Sequence, residues 1–247
     1  TKNKKSPEEA DTRFLGAFFY RQGGGKAVCR TVVVVGGGPK PFVPDLSLYV
    51  TSEQLWIGAD QGAEVILEQG IIPDLAIGDF DSVSKSSYKT IKAQAKSYKE
   101  YPNEKDETDL ELAIMEALKC NPEHILLFGV TGGRMDHSLA NIQLLYPLLQ
   151  KNVKAKIIDV QNQVELVSAG RHTIEADEQY PYLSFLPITL EVKNLSLTGF
   201  YYPLTNAYLP YGSTLCISNR LIQEAGTFSF DSGILLVIRS KDLTNRG

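Results

Sequence analysis

The run TVVVVGGGP, Thr31 to Pro39, constrains the fold more than any other stretch of the chain. The five consecutive β-branched residues Thr31 to Val35 are stiff at χ1 and favour strand over helix, and the four valines offer no polar side to water. The segment therefore reads as a strand buried on both faces, with the glycines behind it as a loop at its carboxyl end. Strands buried on both faces belong to parallel sheets, whose crossovers are long enough to hold a helix that covers the face. The chain supplies such crossovers. QLWIGAD (Gln54 to Asp60) reads as a second strand and GAEVILEQG behind it as a short helix stopped by Gly70. DLAIGDFDS supplies a third strand, Lys85 to Ser97 has helical composition, and SYKEYP is extended. In DETDLELAIMEALK, Leu110, Ala113, Ile114, Ala117 and Leu118 fall on one face of a helix. HILLFGV (His124 to Val130) is a further strand, HSLANIQLLYPLLQ a further helix, and KAKIIDV strand-like again. This alternation predicts an α/β fold with a doubly wound, mostly parallel sheet.

Near residue 160 the pattern changes. Short runs rich in Val, Leu, Tyr, Phe and Thr alternate with Gly, Pro and Asn, which predicts an all-β unit, an antiparallel sandwich or barrel. The boundary falls at about 155–162, giving an α/β domain over 31–158 and a β-sandwich domain over 159–247. Residues 1–30 read as an extension outside the fold, disordered or of artificial or upstream origin.

Ligands of doubly wound sheets bind beyond the carboxyl ends of the strands, and GGGP, GADQG, GDFDS and TGGRMD all follow a strand. In GDFDS, Asp79 and Asp81 are two apart, so in extended chain their carboxylates converge while Phe80 turns to the core. A hard divalent cation would relieve their repulsion; an Asx turn is the competing reading. In DETDLE, Thr108 and Glu111 match a capping box, but Asp106, Glu107 and Asp109 add more acid than a cap needs. TGGRMDH sets two glycines, Arg134 and Asp136 between strand and helix. Either Asp136 or Ser138 caps that helix, or the helix start and Arg134 take phosphate while Asp136 serves a metal or ribose. GGGP is neither a Walker loop nor GxGxxG. His124, His137 and His172 share no ligand spacing, and Cys120 and Cys216 read as packing residues.

Composition narrows the partners. A 247-residue chain with net charge −4 and a pI near 5.5 has no electrostatic footprint for nucleic acid, and no apolar run reaches the roughly 20 residues of a membrane span. Cys29, Cys120 and Cys216 form no CxxC, so neither a disulfide framework nor a thiolate zinc site is expected, and a reducing, cytoplasmic setting fits.

Taken in order, GADQG, GDFDS, KDETDLE and TGGRMDH resemble the thiamine pyrophosphokinase family, bacterial type. The resemblance continues through LTGFYYPL (Leu197 to Leu204), the ISN of Ile217 to Asn219, and a closing GILLVI strand, covering about 31–241. It implies a homodimer with sites at the subunit interface that converts thiamine and ATP to thiamine diphosphate and AMP with Mg2+. It implies that Asp79, Asp81 and Asp109 are the catalytic, metal-binding acids, and that Asp60, Lys105, Thr108, Arg134 and Asp136 bind ATP. Ser218 and Asn219 match the segment that meets thiamine. Mammalian members carry Trp where this chain has GFYY, which leaves the pocket aromatic unassigned. Other readings are a pyrophosphokinase for a pterin-type alcohol, a non-catalytic Mg-ATP sensor, and a metal-dependent phosphohydrolase, whose usual Lys and Thr motif is not found here.

Overall fold

The computed structural model describes residues 30–243 except 103 and 105. Lys105, Cys29 and nearly all of the N-terminal extension lie outside the described residues. The first half consists of β1 (Thr31–Val35), β2 (Gln54–Ala59), α1 (Gln61–Glu68), β3 (Leu75–Gly78), α2 (Lys85–Gln94), β4 (Tyr98–Glu100), α3 (Asp109–Leu118), β5 (His124–Phe128), α4 (Met135–Gln143), α5 (Leu145–Gln150) and β6 (Lys154–Ile158). Its strands pair in parallel in the order β6-β5-β1-β2-β3-β4.

The valines of β1 explain the layering. All four are fully buried. Val32 and Val34 join a core with Leu110, Ala113 and Ile114 of α3 and Leu148 of α5, whereas Val33 and Val35 pack with Val65 and Ile66 of α1 on the other face. Each such side chain stabilises the fold by about 1.5–3 kcal/mol, so one strand ties both helical layers to the sheet. β1 also lies between β2 and β5, which is where the strand order reverses and where ligands of such sheets enter.

The run HSLANIQLLYPLLQ, expected as one helix, forms two. Pro147 lacks the N–H that a continuous helix would use, and the break at Leu144 places it in the first turn of α5, where no intrahelical donor is needed.

From β6 the chain turns back and β7 (Asn162–Glu175) pairs with it antiparallel. β8 (Tyr182–Pro187), β9 (Glu191–Thr198), β10 (Leu204–Pro210) and β11 (Ala225–Ser240) complete the all-β half. β11 pairs with β7 along both their lengths, with a register shift between Phe230 and Ile234. On its other side β11 meets β9 before that shift and β8 after it, so one ladder feeds two layers. Leu183, Phe185, Leu195, Leu197, Phe228, Phe230 and Val237 fill the space as a separate core, the expected β-sandwich. All eleven strands nonetheless form one hydrogen-bonded sheet, continuous through β6 and β7.

Candidate active site

Parallel strands deliver their carboxyl ends to one edge, and three acids meet there. Asp60 follows β2, Asp79 follows β3, and Asp109 opens α3; each offers a carboxylate oxygen, and these oxygens lie within 4.8 Å of one another. Gly78 makes the approach possible. A Cβ on it would come 1.9 Å from Asp60 Oδ1, and its φ of +149° favours glycine. The Phe80 N–H donates to the same oxygen at 3.2 Å and helps to hold it. Thr108 fixes the third acid: its hydroxyl accepts from the Glu111 N–H at 3.2 Å and caps α3. At the start of that helix the Asp109 charge is also favoured by the dipole.

The three carboxylates are partly buried and mutually repulsive. Burial first, then the hydrogen bond and charge of Asp109, push Asp60 up to about 7. Near neutral pH the group thus tends to keep a proton, and a hard cation with oxygen ligands would replace that proton and relieve the crowding. The donor set fits a hard divalent cation by its chemistry.

GDFDS itself folds differently from the extended reading. Phe80 adopts φ +56° and buries its ring, which breaks the alternation that would aim Asp79 and Asp81 to one side. Asp81 donates its N–H to Asp79 Oδ1 at 3.1 Å, an Asx turn. Asp79 therefore converges with Asp60 and Asp109, and the exposed Asp81 stands outside that trio. The turn and the acid cluster coexist.

A cleft of about 460 Å³ opens beside the acids, within the range of ligand sites. The Gly36–Gly38 loop after β1, Asp60 and Gln61, the start of α3, and Thr131, Gly133 and Arg134 line it. Arg134 is engaged by Asp136: guanidinium and carboxylate meet at 2.5 Å, both well exposed. That contact and the His137 N–H hold Asp136 down at about 2. Asp136 does not line the cleft, and neither it nor Ser138 caps α4, whose N-cap position is Arg134 without a capping side chain. Ser138 instead donates its hydroxyl to the Arg134 carbonyl.

Gln61 and Asn141 were not marked by the sequence. Gln61 donates to the Ser82 carbonyl at 2.9 Å and Asn141 to the Val130 carbonyl at 2.7 Å, so both brace loops of the cleft they line. Gln61 lies within the GADQG motif, and the signal of Asn141 is a polar amide within a largely apolar helical pattern.

Ser218 and Asn219 do not reach this cleft. Asn219 is buried, and its amide serves the chain: Oδ1 accepts from the N–H groups of Tyr202 and Arg220, and Nδ2 donates to the Tyr202 carbonyl at 2.8 Å. It clamps the GFYY turn to the ISN segment. Ser218 is exposed at φ +54° and donates its N–H to Ser184 Oγ. Tyr201 and Tyr202 stand out in solvent edge to face, with the Arg220 guanidinium 4.3 Å from the Tyr201 ring centre.

Crowded acids at the strand-order switch of a doubly wound sheet, flanked by glycine loops, define an α/β enzyme site suited to a metal-held phosphorylated substrate. The comparison with known proteins is more specific: the chain belongs to the thiamine pyrophosphokinase family. Residues 46–157 match "Thiamin pyrophosphokinase, catalytic domain" and residues 171–235 match "Thiamin pyrophosphokinase, vitamin B1 binding domain". Thiamine pyrophosphokinase of Bacillus subtilis (strain 168) is 48% identical over 213 residues, which span 86% of this chain and 100% of the relative. The crystal structure of the Bacillus subtilis protein matches with a TM-score of 0.83 at 47% identity, covering 87% of this chain and 100% of that one. That of Geobacillus thermodenitrificans thiamin pyrophosphokinase gives 0.79 at 42% identity, covering 87% and 99%. Yeast thiamin pyrophosphokinase, at 16% identity and a TM-score of 0.70 over 87% and 88%, shares the fold.

Proposed function

We propose that the protein transfers the pyrophosphoryl group of ATP to the hydroxyl of thiamine, giving thiamine diphosphate and AMP. The observation that carries this reading is 48% identity to a thiamine pyrophosphokinase over both halves of the fold, with the acid trio in the half that matches the catalytic domain. The thiamine oxygen bonds to the β-phosphorus, the bond from that phosphorus to the AMP oxygen breaks, and the hydroxyl proton is released.

Asp60, Asp79 and Asp109 would hold Mg2+, with Asp81 at the rim of the same loop. When bound there, the cation neutralises triphosphate charge and gathers the phosphates. The chain's own residues supply position. The Gly36–Gly38 and Thr131–Gly133 loops let a triphosphate approach the backbone. Arg134 exchanges its exposed partner Asp136 for phosphate, because ion pairs in solvent add little stability. Lys105 and Thr108, just ahead of Asp109, lie in the segment assigned to the triphosphate.

The thiamine site belongs to the β-sandwich half, divided from the α/β half near residue 158, with Ser218 and the Asn219-braced GFYY turn as its elements. In one chain these do not line the acid cleft. A homodimer that sets them against the partner's cleft reconciles the two. Exposed Leu139, Tyr146, Leu190 and Tyr211, around a groove of about 990 Å³ and its extension, offer the apolar surface such an interface needs. The setting is cytoplasmic. Among the described residues no helix is long and apolar enough to cross a membrane.

The test is incubation of Mg-ATP, labelled at the γ-phosphate, with thiamine, with a pterin-type alcohol, and with no acceptor. Label at the terminal phosphate of thiamine diphosphate with equimolar unlabelled AMP is expected. ADP with thiamine monophosphate, product only with the pterin alcohol, or ATP binding without product would each overturn it.

A further inference from the structure

The turn that joins the two halves carries an acid with more acceptor capacity than a turn needs. Asp159 is 4% exposed and follows β6. Its Oδ1 accepts from the N–H groups of Gln161 and Asn162 at 2.8 and 2.7 Å and from Asn162 Nδ2 at 3.1 Å, which completes an Asx-type turn. Its Oδ2 points elsewhere: it accepts from Thr131 Oγ1 at 2.7 Å, with Asn162 Nδ2 at 3.3 Å. Thr131 opens the glycine loop that lines the cleft.

The same turn holds the other glycine loop. The Val160 N–H donates to the Phe42 carbonyl at 3.1 Å, and Phe42 closes the segment that begins at Gly36. The Phe42 ring also fills the space beside Gly132, where a Cβ would come 2.4 Å from it and where φ is +87°. Gly132 and Gly133 have no side chains of their own to anchor them, so the loop takes its shape from Thr131 on one side and Phe42 on the other. Both anchors end on residues 159 and 160. Tyr180, also buried, donates its hydroxyl to the Asp159 carbonyl at 2.8 Å and fixes the turn from the β-sandwich side.

We propose that Asp159 is a positioning residue for the nucleotide: through Thr131 it sets the shape of the glycine loop over which the triphosphate of ATP lies. It touches no substrate and acts from the joint between the halves. The inference rests on the ATP reading of the cleft given above.

The experiment measures kcat and KM for both substrates with the full chain, alongside melting temperature, for Thr131→Val, Thr131→Ser, Asp159→Asn and the Thr131→Val/Asp159→Asn double variant. Valine keeps the shape of threonine and removes the donor; serine keeps the donor. Thr131→Val and Asp159→Asn are each expected to raise KM for ATP about five- to tenfold, the scale of one lost hydrogen bond. KM for thiamine should stay within about twofold, Thr131→Ser should raise KM for ATP less than Thr131→Val does, and the double variant should be no worse than the worse single one, because both act on the same Thr131–Asp159 contact. If the two effects multiply, Thr131 acts on ATP by itself and the proposal falls. If KM for ATP and thiamine rise together with a drop in melting temperature, Asp159 serves only the fold and the proposal also falls. Should Asp159→Asn not fold, the Thr131→Val and Thr131→Ser pair decides on the same ATP-against-thiamine split. A parent protein without AMP-forming activity would sink the underlying reading instead.

Discussion

The two halves of the molecule treat their sequence-marked polar residues in opposite ways. At the edge of the α/β half, Asp60, Asp79 and Asp109 crowd together with Asp60 forced to about 7. In the β-sandwich half, Asn219 is buried with its amide engaged by backbone groups of Tyr202 and Arg220. Charges held against each other lower the stability of the fold, whereas an amide that completes backbone hydrogen bonds raises it. Asn219, matched by motif to a substrate contact, is by its own geometry a brace for the GFYY turn.

The largest expected effect separates the acids from the fold. Asp79→Asn should leave the melting temperature near that of the parent while cutting kcat at least about a hundredfold, the cost of losing a preorganised charge at a transferring group. Asp81→Asn, outside the trio and exposed, should cost only about tenfold. Equal losses for the two would show that Asp81 joins the trio once substrate is bound. Parent-like turnover of Asp79→Asn would remove the case for a metal clamp.

Asn219→Ala should do the reverse. It leaves the Tyr202 N–H and carbonyl without their partner, and a loss of about 2–3 kcal/mol in unfolding free energy is expected from denaturant titration. Because Asn219 braces the turn assigned to thiamine, KM for thiamine should rise together with that loss of stability, while KM for ATP stays near the parent's. A selective rise in KM for thiamine at unchanged stability would return Asn219 to the substrate and close the contrast between the halves.

A subtler effect follows from pH. Asp60, raised from 3.8 to about 7, keeps a proton in the folded protein over a range where the unfolded chain has lost it. Its contribution to the stability of the metal-free protein is therefore greatest below pH 4 and declines as pH rises to about 7. Asp60→Asn lacks this titration. In chelator, the melting-temperature difference between parent and variant should shift against the parent across that window and level off above it. Mg2+ affinity should rise with pH over the same window, since binding displaces the proton. A pH-independent difference would mean that the three acids do not share a proton.

What the sequence revealed was what depends on short separations. The valines of β1, the apolar stripe of α3, and the strand-loop placement of every glycine motif are local patterns, and all are found in the structure. The membership of the acid trio depends on which strands are neighbours. Asp60 and Asp79 are brought together because β2 pairs with β3, and no spacing within GDFDS encodes that. The spacing pointed to Asp81 instead, since a left-handed Phe80 is invisible to a rule for extended chain. The break before Pro147 was signalled by the proline and overridden by the apolar run around it. Asp159 carries no motif at all: its contact with Thr131 spans 28 positions of sequence, which no local pattern encodes.

The smallest effect tests whether the edge also contains polar residues that matter little. Arg134 lines the cleft, yet its guanidinium is held by Asp136, and both groups are exposed. Asp136 stays ionised at any pH where the protein is assayed, because Arg134 holds it near 2. Removing its charge with Asp136→Asn leaves Arg134 in reach of phosphate without a competitor. Exposed ion pairs are nearly balanced by solvation, so KM for ATP should change by less than about threefold, and in the direction of tighter binding. The change should shrink as ionic strength rises, because salt screens the same attraction. A rise in KM of tenfold or more, insensitive to salt, would assign the Asp136 carboxylate itself to the nucleotide or its metal and would extend the functional edge one loop further than the acid trio.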